Sequence, residues 1–285
     1  MPRALDHFVL ATPDLEALAA RFTALGFAVG GLNIHPFGTQ NRIIQLADQS
    51  FIELVGVEDA SKITPLRAGE AGFAPFVQRA ISHRPGLAML VLKSEDAASD
   101  ARAFKAAGIG DFAPFHFARK GTRADGTVTE VAFTLAFAHA PAMPDCGFFT
   151  CQQHFPENFW APERQVHTNG VKGVRRVTLV AENPSDHHIF LGSFIGNRVM
   201  RSTSFGVEIE AGKGLVEIIS PEGFAYRYGV EAPEAETPVF AGLEFHTPKQ
   251  PLPSGGINHG GGITFAPQQG FATALRFLPE TAAAR

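Results

Sequence analysis

Cysteine is scarce in this chain: two in 285 residues, Cys146 and Cys151. Five residues apart on an extended segment, they would stand about 16 Å from each other at roughly 3.3 Å per residue. A bridge would need a tight bend, so two free thiols in a reducing cytoplasm are the simpler expectation. Charge is thin as well. Charged residues make up 18% of the chain, the formal net charge is −4, and no Lys/Arg cluster exceeds two or three residues. That argues against a polyanion-binding surface, so no nucleic-acid partner is expected. Long apolar runs are missing. The stretch from Gly86 to Leu92 is strand-sized, far short of the roughly 20 residues a membrane helix needs. The start, Met1-Pro2-Arg3-Ala4-Leu5-Asp6, has no basic segment followed by an apolar block, so neither a secretion signal nor a membrane partner is expected. Tyrosine is rare too, with two residues against 26 phenylalanines. Two readings of that imbalance stand: an apolar core with few hydroxyls to satisfy, or a phenyl-lined pocket.

What is present is a weak repeat. Leu5 to Ala11 alternates and reads as a strand. Pro13 and Asp14 suit a helix entry. Leu15, Leu18, Ala19, Phe22 and Leu25 then recur at helical spacing, with Gly26 as the stop. Phe27 to Gly30, Asn41 to Leu46 and Phe51 to Val57 read as three more strands, the last two joined by the turn Asp48-Gln49-Ser50. The order strand, helix, strand, strand, strand returns from Leu87. Leu87 to Lys93 leads to a helix from Ala97 to Ala107, then to Ile109 to Phe117, Val128 to Ala138 and Phe148 to His154. The turn Ala124-Asp125-Gly126-Thr127 precedes the middle strand of those three. A third copy starts at Val174 to Ala181, with a helix from Pro184 to about Phe194. Strands at Arg198 to Ser202, Phe205 to Ile209 and Leu215 to Ser220 complete it. A fourth is truncated: Val239 to His246, Gly261 to Phe265 and Ala274 to Leu278, with no helix. Units of roughly 80 residues cannot bury both faces of a four-stranded sheet, so they are expected to pair. The expected domains are 1–160 and 171–285, with the break near Pro162 to Gly170.

The pattern Leu5-Asp6-His7-Phe8-Val9-Leu10, Pro13-Asp14-Leu15, Ala24-Leu25-Gly26-Phe27, His35, Gly38-Thr39, Asn41-Arg42 and Phe51-Ile52-Glu53-Leu54 resembles the vicinal oxygen chelate superfamily, and within it the glyoxalase-like domain branch. The match is good over residues 1–60, fair to about 157, and a weaker echo from 171 onward. The resemblance implies an α+β fold: repeated βαβββ modules that pair into curved, cup-shaped mixed sheets with the helices outside. Characterised members include glyoxalase I, extradiol dioxygenases, methylmalonyl-CoA epimerase, fosfomycin-resistance transferases and metal-free bleomycin-sequestering proteins.

In the metal-dependent relatives, His or Gln of a module's first strand and Glu of its last strand are ligands. His7 and Glu53 stand at those positions. Alternation puts Leu5, His7 and Val9 on one face, and Phe51, Glu53 and Val55 on one face. Imidazole plus carboxylate suits Fe(II), Mn(II), Ni(II) or Zn(II). In the second module the corresponding positions fall near Ala88 and Thr150, neither a usual ligand. Thr150, Gln152 and His154 share a face, so Gln152 or His154 could complete the set; His35, in the loop before the third strand, is a further candidate. Asn41 and Arg42 point to opposite faces, and at most one lines the cup. The third module's equivalents lie near Thr178 and at Glu217, the fourth's near Leu243 or Glu244, so the C-terminal half reads as a degenerate copy. The plain alternatives are a hydrogen-bonded His7–Glu53 pair that supports the sheet, a loop role for His35, and packing of His154 against Trp160. The glycine-rich stretch at Gly255-Gly256 and Gly260-Gly261-Gly262 lacks the Lys-Ser/Thr of a phosphate loop and reads as a hairpin. His187 and His188, adjacent on a helix, diverge too far to share a metal.

The expected function is that of a divalent-metal enzyme of lyase, isomerase or dioxygenase type. Its substrate would be small and carry adjacent oxygens. His7 and Glu53 would be catalytic and metal-ligating, with His154 and His35 as further candidate ligands and His35, Asn41 and Gln152 touching substrate. The alternative is a metal-free protein that sequesters a small molecule. The cup would close either within one chain or across a homodimer, as both occur in the superfamily that the sequence resembles.

Overall fold

The computed structural model describes residues 2–67, 70–122, 128–248, 252–268 and 271–280, with the side chains of 121 and 122 excepted. The expected turn at Ala124 to Thr127 lies outside these.

The first module runs β1 (Leu5–Ala11), α1 (Leu15–Ala24), β2 (Leu32–Ile34), β3 (Thr39–Gln45) and β4 (Phe51–Val57). The Asp14 carboxylate caps α1 by accepting from the Ala17 amide at 2.9 Å, a bond worth about 1 kcal/mol. Gly26, at φ +88°, turns the chain out of the helix, a conformation that costs glycine nothing. The expected strand Phe27 to Gly30 does not form. Phe27 instead packs into the core against Phe22, and the strand begins only after the flexible Gly30-Gly31 pair.

A helix absent from the expectations, α2 (Phe73–His83), joins the modules. Its buried residues Phe73, Val77 and Ala80 form one stripe, and it packs across β1, β4 and β5 (Gly86–Lys93). The second module continues with α3 (Ala97–Ala106), β6 (Phe115–Thr122), β7 (Val128–Ala138) and β8 (Gly147–Gln153). Asp96 caps α3 as Asp14 caps α1. The strand expected at Ile109 starts later, after Gly110 and Pro114 interrupt the run. A short α4 (Pro156–Phe159) leads into the linker.

The second half holds β9 (Val174–Val180), α5 (His188–Ile195), β10 (Met200–Thr203), β11 (Gly206–Ala211), β12 (Gly214–Ile219), α6 (Pro221–Tyr228), β13 (Val239–Thr247), β14 (Ile257–His259), β15 (Gly262–Phe265) and β16 (Ala274–Pro279). Among the described residues no helix lies between β13 and β14, and the glycine-rich stretch forms the β14–β15 hairpin.

Two eight-stranded sheets result, in the orders β2-β3-β4-β1-β5-β8-β7-β6 and β10-β11-β12-β9-β13-β16-β15-β14. In each, two modules meet through an antiparallel pair of first strands, β1 with β5 and β9 with β13. The fold is thus the repeated βαβββ architecture of curled sheets. One face of both sheets shares a single apolar core with α1, α3 and α5, built on residues such as Phe8, Leu54, Phe148, Phe194 and Phe240. The other face of the first sheet is a cup, whose apolar lining includes Val9, Val55, Val91 and Phe149 with Phe73 of α2. Both cysteines are free and buried. Among the described residues, no helix is long and apolar enough to cross a membrane.

Candidate functional site

The cup of the first sheet holds a half-open cavity. Phe51, Phe73, Phe117, Phe133, Phe149 and Phe159 wall it, with Ile43 and Leu135. The phenylalanine excess is therefore in part a pocket lining. The polar residues facing this space are His7, His35, Asn41, Glu53 and Arg119, with the Cys151 thiol beside them.

His7 and Glu53 come together because β1 and β4 pair in parallel, with Val9 opposite Glu53 and His7 opposite Phe51. Alternation then turns both side chains to the cup. The Nδ1 of His7 lies 2.7 Å from the Asp6 carboxylate. That contact fixes the ring and leaves Nε2 toward the cavity. The Phe51 ring stacks on the imidazole at 4.2 Å, and Phe149 meets it edge-on. His7 Nε2 stands 3.8 Å from Glu53 Oε2. The other Glu53 oxygen accepts from Asn41 Nδ2 at 2.6 Å. Burial pushes the Glu53 carboxyl above its usual range, against the opposing pull of His7, Asn41 and Arg119.

His35 sits behind this pair. Its Nε2 lies 3.2 Å from Asn41 Nδ2 and its Nδ1 2.7 Å from the Thr39 hydroxyl. Asn41 donates, so Nε2 accepts and Nδ1 carries the proton toward Thr39. Burial, and then the charge of Arg119, hold the ring neutral by lowering its pKa to about 3. Asn33 completes the polar chain, donating to Asn41 Oδ1 and accepting from Arg119 Nη1 at 2.8 Å. Arg42, by contrast, lies outside the cup and pairs with Glu16.

Two expected residues are elsewhere. Gln152 accepts from the Ala97 amide at the start of α3, on the far side of the sheet. His154 bonds the Thr134 hydroxyl and meets the His116 ring edge-on, rather than Trp160. The reason is parity: Gln152 pairs with Thr134 on β7, and the side chains of that pair face away from the cup. The residues of β8 that face the cup are Phe149 and Cys151. Register also moves the second module's key positions by one residue. Val91 opposes Phe149 as Val9 opposes Glu53, so Met89 and Phe149, not Ala88 and Thr150, correspond to His7 and Glu53. Asp6 and Arg119 were missed. Alternation alone turns Asp6 away from His7, but the β1–β5 register shifts between Leu5 and His7 and lets it reach the ring. The run Phe115-x-Phe117-x-Arg119 was the available signal for Arg119.

The donor set was weighed for a metal. The 3.8 Å between His7 Nε2 and Glu53 Oε2 suits two ligands of one ion, but a catalytic site of this kind takes three protein ligands. The corresponding second-module positions are apolar, His35 has both ring nitrogens engaged, and Arg119 adds a positive charge near Glu53. Asp6, His7 and Cys151 offer atoms within 4.8 Å of one another. In that group Asp6 and His7 already share a hydrogen bond, and burial followed by the charges of Asp6 and Glu53 keeps the Cys151 thiol protonated. Among the described residues, then, the His7–Glu53 pair lacks a third ligand, and Asp6, His7 and Cys151 form the group close enough to hold an ion.

A family described as a glyoxalase-like domain matches residues 5–192. No curated protein matches the sequence. Among solved structures, a hypothetical protein from Staphylococcus aureus superposes with a TM-score of 0.68 at 12% identity, covering 97% of this chain and 99% of that one. The Mn(II)-bound glyoxalase from Novosphingobium aromaticivorans gives 0.52 at 9% identity, over 97% and 83%. A mutant of 4-hydroxymandelate synthase from Streptomyces coelicolor gives 0.50 at 13% identity, over 87% and 72%. At these identities the likeness is one of fold.

Proposed function

Because the chain belongs to the glyoxalase-like domain family, we propose that its N-terminal cup is the active centre of an isomerase or lyase. Its substrate would be a small, flat, partly apolar molecule with adjacent oxygens. The observation that carries this reading is the facing pair. His7 Nε2 and Glu53 Oε2, 3.8 Å apart, turn toward an aromatic cavity, while Nδ1 and Oε1 are held from behind by Asp6 and Asn41. Preorganised in this way, the pair costs little to orient during reaction.

Asp6 favours the tautomer with the proton on Nδ1, which leaves the Nε2 lone pair as a base. Glu53, held above the usual carboxylate range, is suited to carry a proton. With a carbonyl oxygen near Glu53 and the adjacent C–H near His7, the imidazole takes the carbon's proton. The C–H electron pair becomes the new C=C bond, and Glu53 protonates the oxygen. Return of a proton to the neighbouring carbon completes an isomerisation, and loss of a neighbouring leaving group completes an elimination. The aromatic walls exclude water while the enol exists.

A metal-dependent reaction, the reading that the sequence favours, keeps support from the 3.8 Å spacing and from the Asp6, His7 and Cys151 cluster. Chelator-treated protein separates the two. Proton–deuterium exchange at carbon, followed by NMR in D2O with aryl-substituted 2-hydroxyketones, should persist after chelation. It should fall about 10²–10⁴-fold in His7→Gln and in Glu53→Gln. Exchange lost on chelation and restored by a divalent cation would establish the metal reading. Binding without any exchange would leave a sequestering protein.

A further inference from the structure

Arg119 is the unusual charge of the cup. It sits half-buried in the cavity wall on β6, with Phe117 two residues before it facing the same space. Its guanidinium donates to the neutral amide oxygen of Asn33 and, among the described residues, has no carboxylate within salt-bridge distance. Arg21 and Arg84 also lack a carboxylate partner, but they donate to backbone carbonyls outside the cup, and the remaining inward arginines are paired. Arg176 is held by Glu208 and Glu217, Arg276 by Glu244, and Arg3 by Asp100. A guanidinium carries five donors in a rigid fork, and a desolvated charge without an anion is costly. Arg119 therefore presents to the cup a guanidinium that, among the described residues, has no carboxylate in contact, although it feels the charge of Glu53.

We infer that Arg119 is the specificity-determining residue of the cup and selects ligands bearing a carboxylate on a flat apolar body. The inference rests on the small-molecule reading of the cup given above. The fork geometry matches a carboxylate bidentately. The body of the ligand lies against Phe117 and Phe133, whose rings are 5.3 Å apart. Asn33 holds the arginine from behind, and through Asn41 it links that anchor to Glu53.

The test uses the full-length protein and calorimetry with trans-cinnamate and its neutral counterpart, trans-cinnamamide. Wild type should bind the acid at least about tenfold more tightly than the amide, the ratio that corresponds to roughly 1.4 kcal/mol. In Arg119→Gln the preference should shrink to within about threefold, through weaker acid binding and unchanged amide binding. Arg119→Lys, which keeps the charge without the fork, should fall between. Thermal unfolding guards against a misfolded variant: without ligand, Arg119→Gln should melt no lower than wild type, because an unpaired charge has been removed. Equal binding of acid and amide by wild type, or a preference that survives in Arg119→Gln, overturns the inference. If amide binding and the His7- and Glu53-dependent exchange persist in that case, the proposed function stands without it. If neither compound binds and no exchange occurs, both fall.

Discussion

The two halves place the same strands in the same register and fill their cups in opposite ways. Thr178 opposes Glu217 as Val9 opposes Glu53, so Glu217 is the counterpart of Glu53, and Arg176, not Thr178, is the counterpart of His7. Arg276, opposite Glu244, takes the place of Phe149. Glu208, opposite Glu217, takes the place of Ile43. The N-terminal cup thus sets one carboxyl and one imidazole in an aromatic, half-open space. The C-terminal cup is closed by ions. Arg176 Nη1 bonds Glu208 at 2.7 Å and Glu217 at 2.6 Å, and Arg227 of α6 reaches Glu217 at 3.0 Å. Thr178 donates to Glu217, and its hydroxyl also meets that of the buried Tyr228. Arginines surround the glutamates of the second cup, whereas in the first cup Glu53 faces a cavity and Arg119 has no carboxylate in contact among the described residues. A carboxylate at the same point of the same sheet thus faces open space in one half and arginines in the other.

The largest break in this comparison should come from removing each carboxylate in turn. Glu217→Ala leaves Arg176 and Arg227 without their shared partner inside the sheet. A loss of about 3–5 kcal/mol is expected, the cost of stranding one member of a buried pair. Glu53→Ala relieves a buried acid at a functional site and should change stability by less than about 1 kcal/mol. Urea denaturation of the two variants measures both. Equal losses would mean that Glu53 is also part of the scaffold.

A smaller difference tests how the second cup became filled. Gly242 of β13 stands opposite Thr178, where Met89 stands opposite Val9 in the first half. A Cβ at Gly242 would lie 2.5 Å from the Tyr228 hydroxyl, so the missing side chain makes room for that tyrosine. Gly242→Ala should cost about 1–3 kcal/mol through overpacking, whereas Met89→Leu should cost less than about 1.5 kcal/mol. Thermal unfolding resolves the two, and an unaffected Gly242→Ala would show that α6 is free to shift.

How much of this was legible before the structure depends on the kind of signal. His7 and Glu53 were found from their places on the first and last strands of the module, with alternation setting their faces; His35 was found as a loop residue before the third strand, and Asn41 as one of an alternating pair. The helix caps at Asp14 and Asp96 and the stop at Gly26 are likewise local. Gln152 and His154 failed because parity on β8 was counted from Thr150, one residue off the true correspondence at Phe149. A strand's face cannot be counted from a distant helix when bulges shift the register, as they do between Val9 and Leu10 on the pair with β5. The helices α2 and α6 were missed because they lie outside the repeat, one joining the first two modules and the other following β12. The ion cluster was invisible for a related reason: Arg176, Glu208, Glu217, Glu244 and Arg276 lie on five different strands, and only register unites them.

The smallest expected effect separates Glu53 from Glu208 by the sign of their response to pH; Glu217, the counterpart of Glu53, is raised by burial as Glu53 is. Burial raises the Glu53 pKa above the unfolded reference of 4.5, so the folded state prefers the protonated acid. Its contribution to stability is present below about pH 4.5 and is lost as pH rises through the folded value. Glu53→Gln cannot ionise, so its melting temperature should gain on wild type between pH 4 and pH 8. Glu208 behaves in reverse. Against burial, hydrogen bonds from Arg176 and Arg201 lower its pKa below 4.5. Its contribution is present above pH 4.5 and is lost as pH falls through the folded value, so Glu208→Gln should fall furthest behind wild type near neutrality and recover in acid. His35 adds its own acid sensitivity. Its folded pKa of about 3, against 6.5 unfolded, removes up to about 1.4 kcal/mol per pH unit as pH drops below 6.5. That term is common to wild type and to both carboxylate variants and cancels in each difference. Melting temperatures of the three proteins from pH 4 to pH 8 should therefore give two difference curves of opposite slope. Curves of the same sign would mean that pairing with Arg176 and Arg201 does not outweigh burial at Glu208.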